Sequence, residues 1–270
     1  MPELPEVETT CRGIRSRVVN KTIGHVIIRQ PKLRWRIPSE LKKIKNIKIK
    51  AITRRAKYIL IECEQGTFII HLGMSGRLCL VKKGTLAQKH DHVDFVFKNE
   101  TILRYTDPRR FGAVLWTTEN VLNHPLLVSL GPEPLSIRFV AHYLFEISRN
   151  KTIPIKQLIM DQAIVVGVGN IYANEALHLA KISPLRSSKT LSLEDCHGLV
   201  GAIKKVLRQA IRQGGTTLKD FLSSEGKPGY FKQKLLVYGR EGLPCFNCQE
   251  SLSAARLGQR MTVFCEICQT

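Results

Sequence analysis

Leu130-Gly131-Pro132-Glu133-Pro134-Leu135 divides this chain into two halves that read differently. Two prolines beside a glycine remove backbone donors and fix φ, so no regular element continues through them. Upstream the apolar residues alternate with polar ones, as in half-buried strands. The spacing predicts strands at Ile23–Arg29, Ile47–Ile52, Tyr58–Glu62, Thr67–Leu72, Gly76–Val81, Val93–Phe97, Thr101–Tyr105 and Ala113–Trp116. Downstream the period lengthens, predicting helices over Phe139–Arg149, Pro154–Met160, Ile171–Ala180 and Leu193–Gln213. Leu199, Ile203, Val206 and Ala210 give the last of these an apolar face, with Ser192 as its cap. The expected fold class is α+β: an N-terminal β-sandwich, 1–130, then a helical part, 131–234, then a small hairpin, 235–270.

Ahead of the strands lies one helix. Pro5 suits its first turn, and Val7, Cys11, Ile14 and Val18 fall on one face until Asn20-Lys21 ends it. The residues before it, Met1-Pro2-Glu3-Leu4-Pro5-Glu6, carry a chemical possibility. With Met1 removed, Pro2 has a free secondary amine, whose pKa of about 8 lies well below the ~10.4 of lysine. Such an amine is a ready nucleophile for a carbonyl-like carbon. Glu3 and Glu6 supply carboxylates close by, although Glu6 and Glu8 equally suit the helix macrodipole.

At the other end, Cys245-x2-Cys248 is followed after sixteen residues by Cys265-x2-Cys268. That is the spacing of a four-thiolate structural zinc ribbon, in which metal binding supplies the folding energy that a tiny core lacks. Arg256, Gln259 and Arg260 lie between the two knuckles. Cys11, Cys63, Cys79 and Cys196 have no partners at ligand spacing and read as packing residues.

With 42 Lys or Arg against 22 acids, the net charge is +20, which favours a polyanionic partner. Nucleic acid fits first and an anionic membrane surface second. No apolar run reaches the length of a membrane span, and charges interrupt the N-terminus where a signal peptide would be apolar. A cytosolic protein is expected, and its cysteines then point to metal or packing rather than disulfides. Arg29 to Lys57 holds twelve cations and the single acid Glu40; most read as solvated face residues. Lys57 differs, because a strand follows it directly. Three loops crowd polar groups: His71-Leu72-Gly73-Met74-Ser75-Gly76, Lys89-His90-Asp91-His92 and Asp107-Pro108-Arg109-Arg110-Phe111-Gly112. The second could be a metal pair. The third places arginine beside an apolar wedge, the chemistry that props open a base stack. Val165-Val166-Gly167-Val168-Gly169-Asn170 precedes a helix whose N–H groups suit a phosphate, with Asn170 as cap or donor. Thr216–Phe231 reads as a long functional loop.

Taken in order, these blocks closely resemble the bacterial formamidopyrimidine-DNA glycosylase family. The resemblance also rests on Arg54-Arg55-Ala56-Lys57-Tyr58, Gly214-Gly215-Thr216-Thr217-Leu218 and Gly226-Lys227-Pro228-Gly229-Tyr230-Phe231, and it spans the chain. It implies a helix–two-turn–helix domain in the second half and a bifunctional DNA glycosylase and apurinic-site lyase. The implied substrates are 8-oxoguanine and formamidopyrimidines in double-stranded DNA, with one structural Zn2+ on the four cysteines. It assigns Pro2 as Schiff-base nucleophile, Glu3 as general acid, Glu6 as supporting carboxylate, and Lys57 and Arg260 as donors in β- and δ-elimination. His71, Met74, His90, Arg109, Phe111, Lys151, Lys156 and Asn170 match DNA-contacting positions, with Met74, Arg109 and Phe111 inserted into the duplex. Thr217 and Tyr230 bound the loop over the flipped purine. A cytoplasmic, nucleoid-associated monomer is implied. An endonuclease VIII-type enzyme acting on pyrimidines and a non-catalytic zinc-ribbon binder are the competing readings.

Overall fold

The structure is a computed structural model that describes residues 2–99, 101–215 and 235–270. The described residues form two compact units: one running to Val128 and including residues 213–215, the other comprising Ser129–Arg212 and residues 235–270.

The first unit opens on helix α1, Leu4–Val18. Eight strands follow: β1 Thr22–Ile28, β2 Lys45–Arg55, β3 Tyr58–Cys63, β4 Thr67–His71, β5 Arg77–Lys82, β6 Asp91–Phe97, β7 Thr101–Thr106 and β8 Ala113–Thr117. They pair antiparallel in the order β5-β7-β6-β1-β2-β3-β4-β8. The sheet folds over on itself, so that side chains of β3 and β4 meet those of β6 and β7 in one core. Phe68 on β4 packs edge-on against Phe95 on β6 at 5.0 Å between ring centres. This is the expected antiparallel β-sandwich. Alternation explains it: Ile47 and Ile49 on β2 are buried while Lys48 and Lys50 are exposed. Val7, Cys11, Ile14 and Val18 of α1 join the same core. Asn20, at φ 65°, turns the chain out of the helix, a conformation asparagine tolerates better than most residues.

In the second unit four helices, α2 Ala141–Arg149, α3 Ile155–Met160, α4 Asn170–Leu179 and α5 Leu193–Arg212, precede a hairpin of β9 Ser253–Leu257 and β10 Arg260–Phe264. Leu199, Ile203 and Ala210 of α5 are buried, as their spacing predicts. Ser192 Oγ accepts the Asp195 N–H at 3.0 Å, and the Asp195 carboxylate accepts the Ser192 N–H at 2.8 Å, a reciprocal cap. One expectation is corrected: Gly169, not Asn170, occupies the cap position of α4. Asn170 is already helical, and its side-chain amide donates to Met261 O at 3.0 Å. No helix among the described residues is long and apolar enough to cross a membrane.

Candidate active site and nucleic-acid interface

The N-terminus of α1 is closed by a reciprocal capping box. The Glu3 side chain accepts the Glu6 N–H, and Glu6 Oε2 accepts the Glu3 N–H at 2.8 Å. Helix starts leave unpaired donors, and two carboxylates here satisfy two of them. The result is that Pro2, Glu3 and Glu6 are all buried, with Glu3 2% and Glu6 0% exposed. Gly215, at φ +85°, lies against Glu6: a Cβ there would stand 3.1 Å from Glu6 Oε1. Sequence reading placed Glu3 and Glu6 together but did not bring Gly215 to them.

One turn along α1, Glu8 accepts Arg12 at 2.8 Å and Arg54 at 3.0 Å. Burial alone would raise its pKa, but the hydrogen bonds and charges of both arginines outweigh it and hold the carboxyl below its ordinary value. Arg54 also donates to Ala56 O at 2.8 Å. Ala56 and Lys57 form the two-residue turn between β2 and β3, with Ala56 left-handed at φ 54°. Arg54 therefore ties the helix that carries Glu3 and Glu6 to the turn that carries Lys57. Lys57 is 8% exposed at a hairpin tip, where a lysine normally extends into water.

The loops with His71, Met74, His90, Arg109 and Phe111 are brought together by a residue that sequence reading did not single out. Asp107 is fully buried. One carboxylate oxygen accepts Ser75 Oγ at 2.9 Å and Arg109 N at 3.2 Å; the other accepts Gly112 N at 2.8 Å and the Tyr105 hydroxyl at 3.3 Å. Its own N–H donates to His90 O, and its carbonyl bonds His92 Nε2 at 2.8 Å. His92 is thus a packing residue, and among the described residues the only cluster fit for a metal is that of the four cysteines. Close backbone approach finishes the assembly: a Cβ on Gly112 would overlap the Tyr105 hydroxyl at 1.8 Å, and one on Gly73 would meet Gly112 N at 2.5 Å. Above this base Arg109 lies over the Phe111 ring at 4.9 Å, with Phe111 47% exposed. Met74 is half-buried.

His71 accepts the Gly73 N–H on Nδ1 at 3.0 Å and packs on the Tyr58 ring at 4.9 Å. Burial, then repulsion by Lys57 and Arg34, lower its pKa to about 4 against a small opposing pull from Asp107. It is a neutral imidazole near pH 7, and with Nδ1 accepting, Nε2 carries the proton.

In the second unit Lys156 and Asn170 meet at the hairpin. Lys156 was expected on a backbone phosphate, but it is 1% exposed and its ammonium donates to Thr262 Oγ1 at 2.6 Å and Met261 O at 3.2 Å. The Asn170 amide shares Met261 O. Their shared partner Met261 follows Arg260, which is exposed on β10; Lys151 is exposed after α2. Gly167, at φ +80°, donates its N–H to Gln162 Oε1 at 3.1 Å. Cys245, Cys248, Cys265 and Cys268 place all four sulfurs within 4.8 Å of one another, so that they could hold a metal ion. Gln269 accepts the Cys265 N–H at 2.9 Å and donates to Ile182 O at 2.9 Å, seating the second knuckle on the helical part. Thr217 and Tyr230, with the loop they bound, lie outside the described residues.

Comparison with known proteins agrees across the chain. Residues 1–114 match the formamidopyrimidine-DNA glycosylase N-terminal domain, and residues 130–222 match the formamidopyrimidine-DNA glycosylase H2TH domain. The formamidopyrimidine-DNA glycosylase of Haemophilus influenzae strain PittEE is 55% identical over 269 residues, covering 100% of this chain and 99% of that one. That of Proteus mirabilis strain HI4320 is 51% identical, covering 100% and 98%. The MutM (Fpg) crystal structure from Thermus thermophilus superposes with a TM-score of 0.89 at 36% identity, covering 99% and 98%. A wild-type Lactococcus lactis Fpg bound to N7-benzyl-Fapy-dG DNA superposes at 0.90 with 34% identity, covering 99% of each chain.

Proposed function

The chain belongs to the formamidopyrimidine-DNA glycosylase family, and from that premise we propose that it excises oxidised purines from duplex DNA through an imine on Pro2. The observation that carries the chemistry is the reciprocal Glu3–Glu6 cap, which fixes two buried carboxylates directly beside Pro2. Once Met1 is removed, the Pro2 nitrogen attacks C1′ of the damaged nucleotide. The C1′–N bond breaks, its electron pair leaves with the base, and the N–H proton that Pro2 sheds after bonding C1′ ends on that base. Glu3 protonates the sugar ring oxygen, which opens the ring and leaves a cationic iminium at C1′. Glu6 holds Glu3 in place through the Glu3 N–H. The iminium is an electron sink, so the C2′ proton becomes acidic. Loss of that proton expels the 3′ phosphate, and a second elimination expels the 5′ phosphate. Lys57 and Arg260 are the donors for these two steps.

The nucleotide must leave the stack for C1′ to be reached. Met74, Arg109 and Phe111 fill the vacated space, His71, His90 and Lys151 contact the DNA, and Lys156 and Asn170 serve its backbone phosphates. The loop from Thr217 to Tyr230 covers the flipped purine. The four cysteines hold one Zn2+, whose chemistry is structural: it closes the hairpin that presents Arg260. The functional division is then 1–130, 131–234 and 235–270, in a cytoplasmic monomer that acts at the nucleoid.

Borohydride trapping tests the reading. A covalent adduct on an 8-oxoguanine duplex, lost in Pro2→Gly, supports it; equal trapping by that variant overturns the Schiff base. Preference for a thymine-glycol duplex would favour the pyrimidine-specific enzyme instead.

A further inference from the structure

The cation-rich stretch after β1 contains one segment that its surroundings set apart. Between Pro31 and Ile37 the chain makes a tight turn, closed by Ile37 N–H to Pro31 O at 2.9 Å and Leu33 N–H to Trp35 O at 3.0 Å, with Lys32 bridged to Arg36. Leu33 and Ile37 point into the sandwich core, 5% and 4% exposed. Side chains alternate, so Lys32, Arg34 and Arg36 all point outward and are exposed. The Arg34 guanidinium lies over the Trp35 ring at 4.7 Å. Stacking of this kind orders a guanidinium while leaving its N–H edge open to a phosphate.

The turn is also bonded to the wedge. Arg34 N–H donates to Gly112 O at 3.1 Å, and the Gly112 N–H is held by Asp107. The field of Arg34 reaches Tyr58 and His71, where it favours the deprotonated form of each. Its neighbours use their cations differently. Arg29 pairs with Asp94 at 2.7 Å, and Arg104 is buried against Asp94 and Asp91. Among the described residues, Lys32, Arg34 and Arg36 have no such carboxylate.

We infer that Lys32, Arg34 and Arg36 form a further phosphate-gripping edge, which holds the DNA backbone beside the Arg109–Phe111 wedge. The inference rests on the duplex-binding function proposed above and adds a contact surface to it. Core anchors fix the turn, and its main-chain bond to Gly112 fixes its position relative to the wedge. The edge would therefore resist the backbone's recoil when the wedge displaces a nucleotide.

The test is the salt dependence of binding to a duplex containing a stable abasic analogue. Each neutralised phosphate contributes about 0.9 to the slope of log K against log salt. The triple variant Lys32→Gln, Arg34→Gln, Arg36→Gln keeps the Arg34 N–H bond and both core anchors. Its slope should be shallower than wild type by about 2 to 3, with an unchanged melting temperature. Lys42→Gln, Lys43→Gln, Lys45→Gln removes the same charge elsewhere in this unit and should leave the slope unchanged. Equal slopes for the first triple and wild type, or equal losses in both triples, would overturn the inference. A wild-type protein whose binding ignores salt would instead remove the duplex-binding function on which it rests.

Discussion

The carboxylate of Asp107 accepts the main-chain N–H of Gly112 at 2.8 Å, across the turn that presents Arg109 and Phe111. The same carboxylate takes the Ser75 hydroxyl next to Met74. Two loops distant in sequence are thereby one rigid base, and donors from Ser75, Tyr105, Arg109 and Gly112 converge on the Asp107 carboxylate. Asp107→Asn keeps the shape but turns an amide N–H toward a donor. Hydrogen bonds to a charged group contribute about 1.5–3 kcal/mol, so the wedge should loosen at a cost of tenfold or more in excision. Elimination at a preformed abasic site, which needs less prising, should persist. Comparing single-turnover rates on an 8-oxoguanine duplex and on an abasic duplex checks this. Equal losses on both would mean that the unit had merely unfolded.

Asp107 also shows where the sequence stops informing. The eight sandwich strands and the helices α1 and α5 were legible from periodicity, because burial on one face imposes periods of 2 and 3.6. The cysteines were legible because ligand spacing is local. Asp107 sits in a quoted motif, but its value lies in donors from residues 75, 105, 109 and 112, which only strand pairing assembles. The burial of Lys156 was illegible for the converse reason. A lysine in a basic protein reads as a surface cation until the fold is seen to bury it.

His71 should make stability fall with acidity. Its folded pKa is depressed from 6.5 to about 4, so the unfolded chain binds the proton more readily. The contribution is fully present above pH 6.5 and is lost as pH falls toward 4, amounting to up to about 3 kcal/mol. Melting temperatures between pH 7 and 4 should therefore drop less steeply for His71→Gln than for wild type. Parallel curves would contradict a neutral, half-buried imidazole.

Gly215→Ala should injure chemistry more than binding. At φ +85° an L-residue is disfavoured by about 1–2 kcal/mol, and its Cβ would press on Glu6 Oε1 from 3.1 Å. Glu6 can yield only by loosening its bond to the Glu3 N–H. Borohydride trapping should slow several-fold while affinity for an abasic-analogue duplex stays near wild type. Unaltered trapping would show that Glu6 tolerates the methyl group.

Removing the metal should dissolve the hairpin. Besides the cysteines, its buried apolar residues are few: Val237, Leu252, Val263 and their immediate neighbours. Two five-residue strands are marginal without further support, and structural Zn2+ contributes about 10–16 kcal/mol in comparable units. A strong chelator should release one zinc per chain by elemental analysis, with loss of DNA binding and β10 amide protection. The signals from the β-sandwich should remain. Retention of hairpin protection after complete zinc loss would refute this dependence.

Lys156→Met separates two roles for the buried lysine. In the structure its ammonium is held by Thr262 Oγ1 and Met261 O, directly beside Arg260 in sequence. Methionine fills the space but leaves the Thr262 hydroxyl without this donor, while Asn170 still serves Met261 O. Loss of a charge-assisted pair of bonds should cost the hairpin about 1.5–3 kcal/mol, seen as faster zinc release to a chelator. If Lys156 works only through the hairpin, the salt slope of duplex binding should match wild type even as affinity falls. A slope shallower by about one, with unchanged zinc release, would instead put the ammonium on a phosphate, which requires Lys156 to leave Thr262 when DNA binds. The two readouts move in opposite combinations, so one variant decides between a pin for the hairpin and a contact to the backbone.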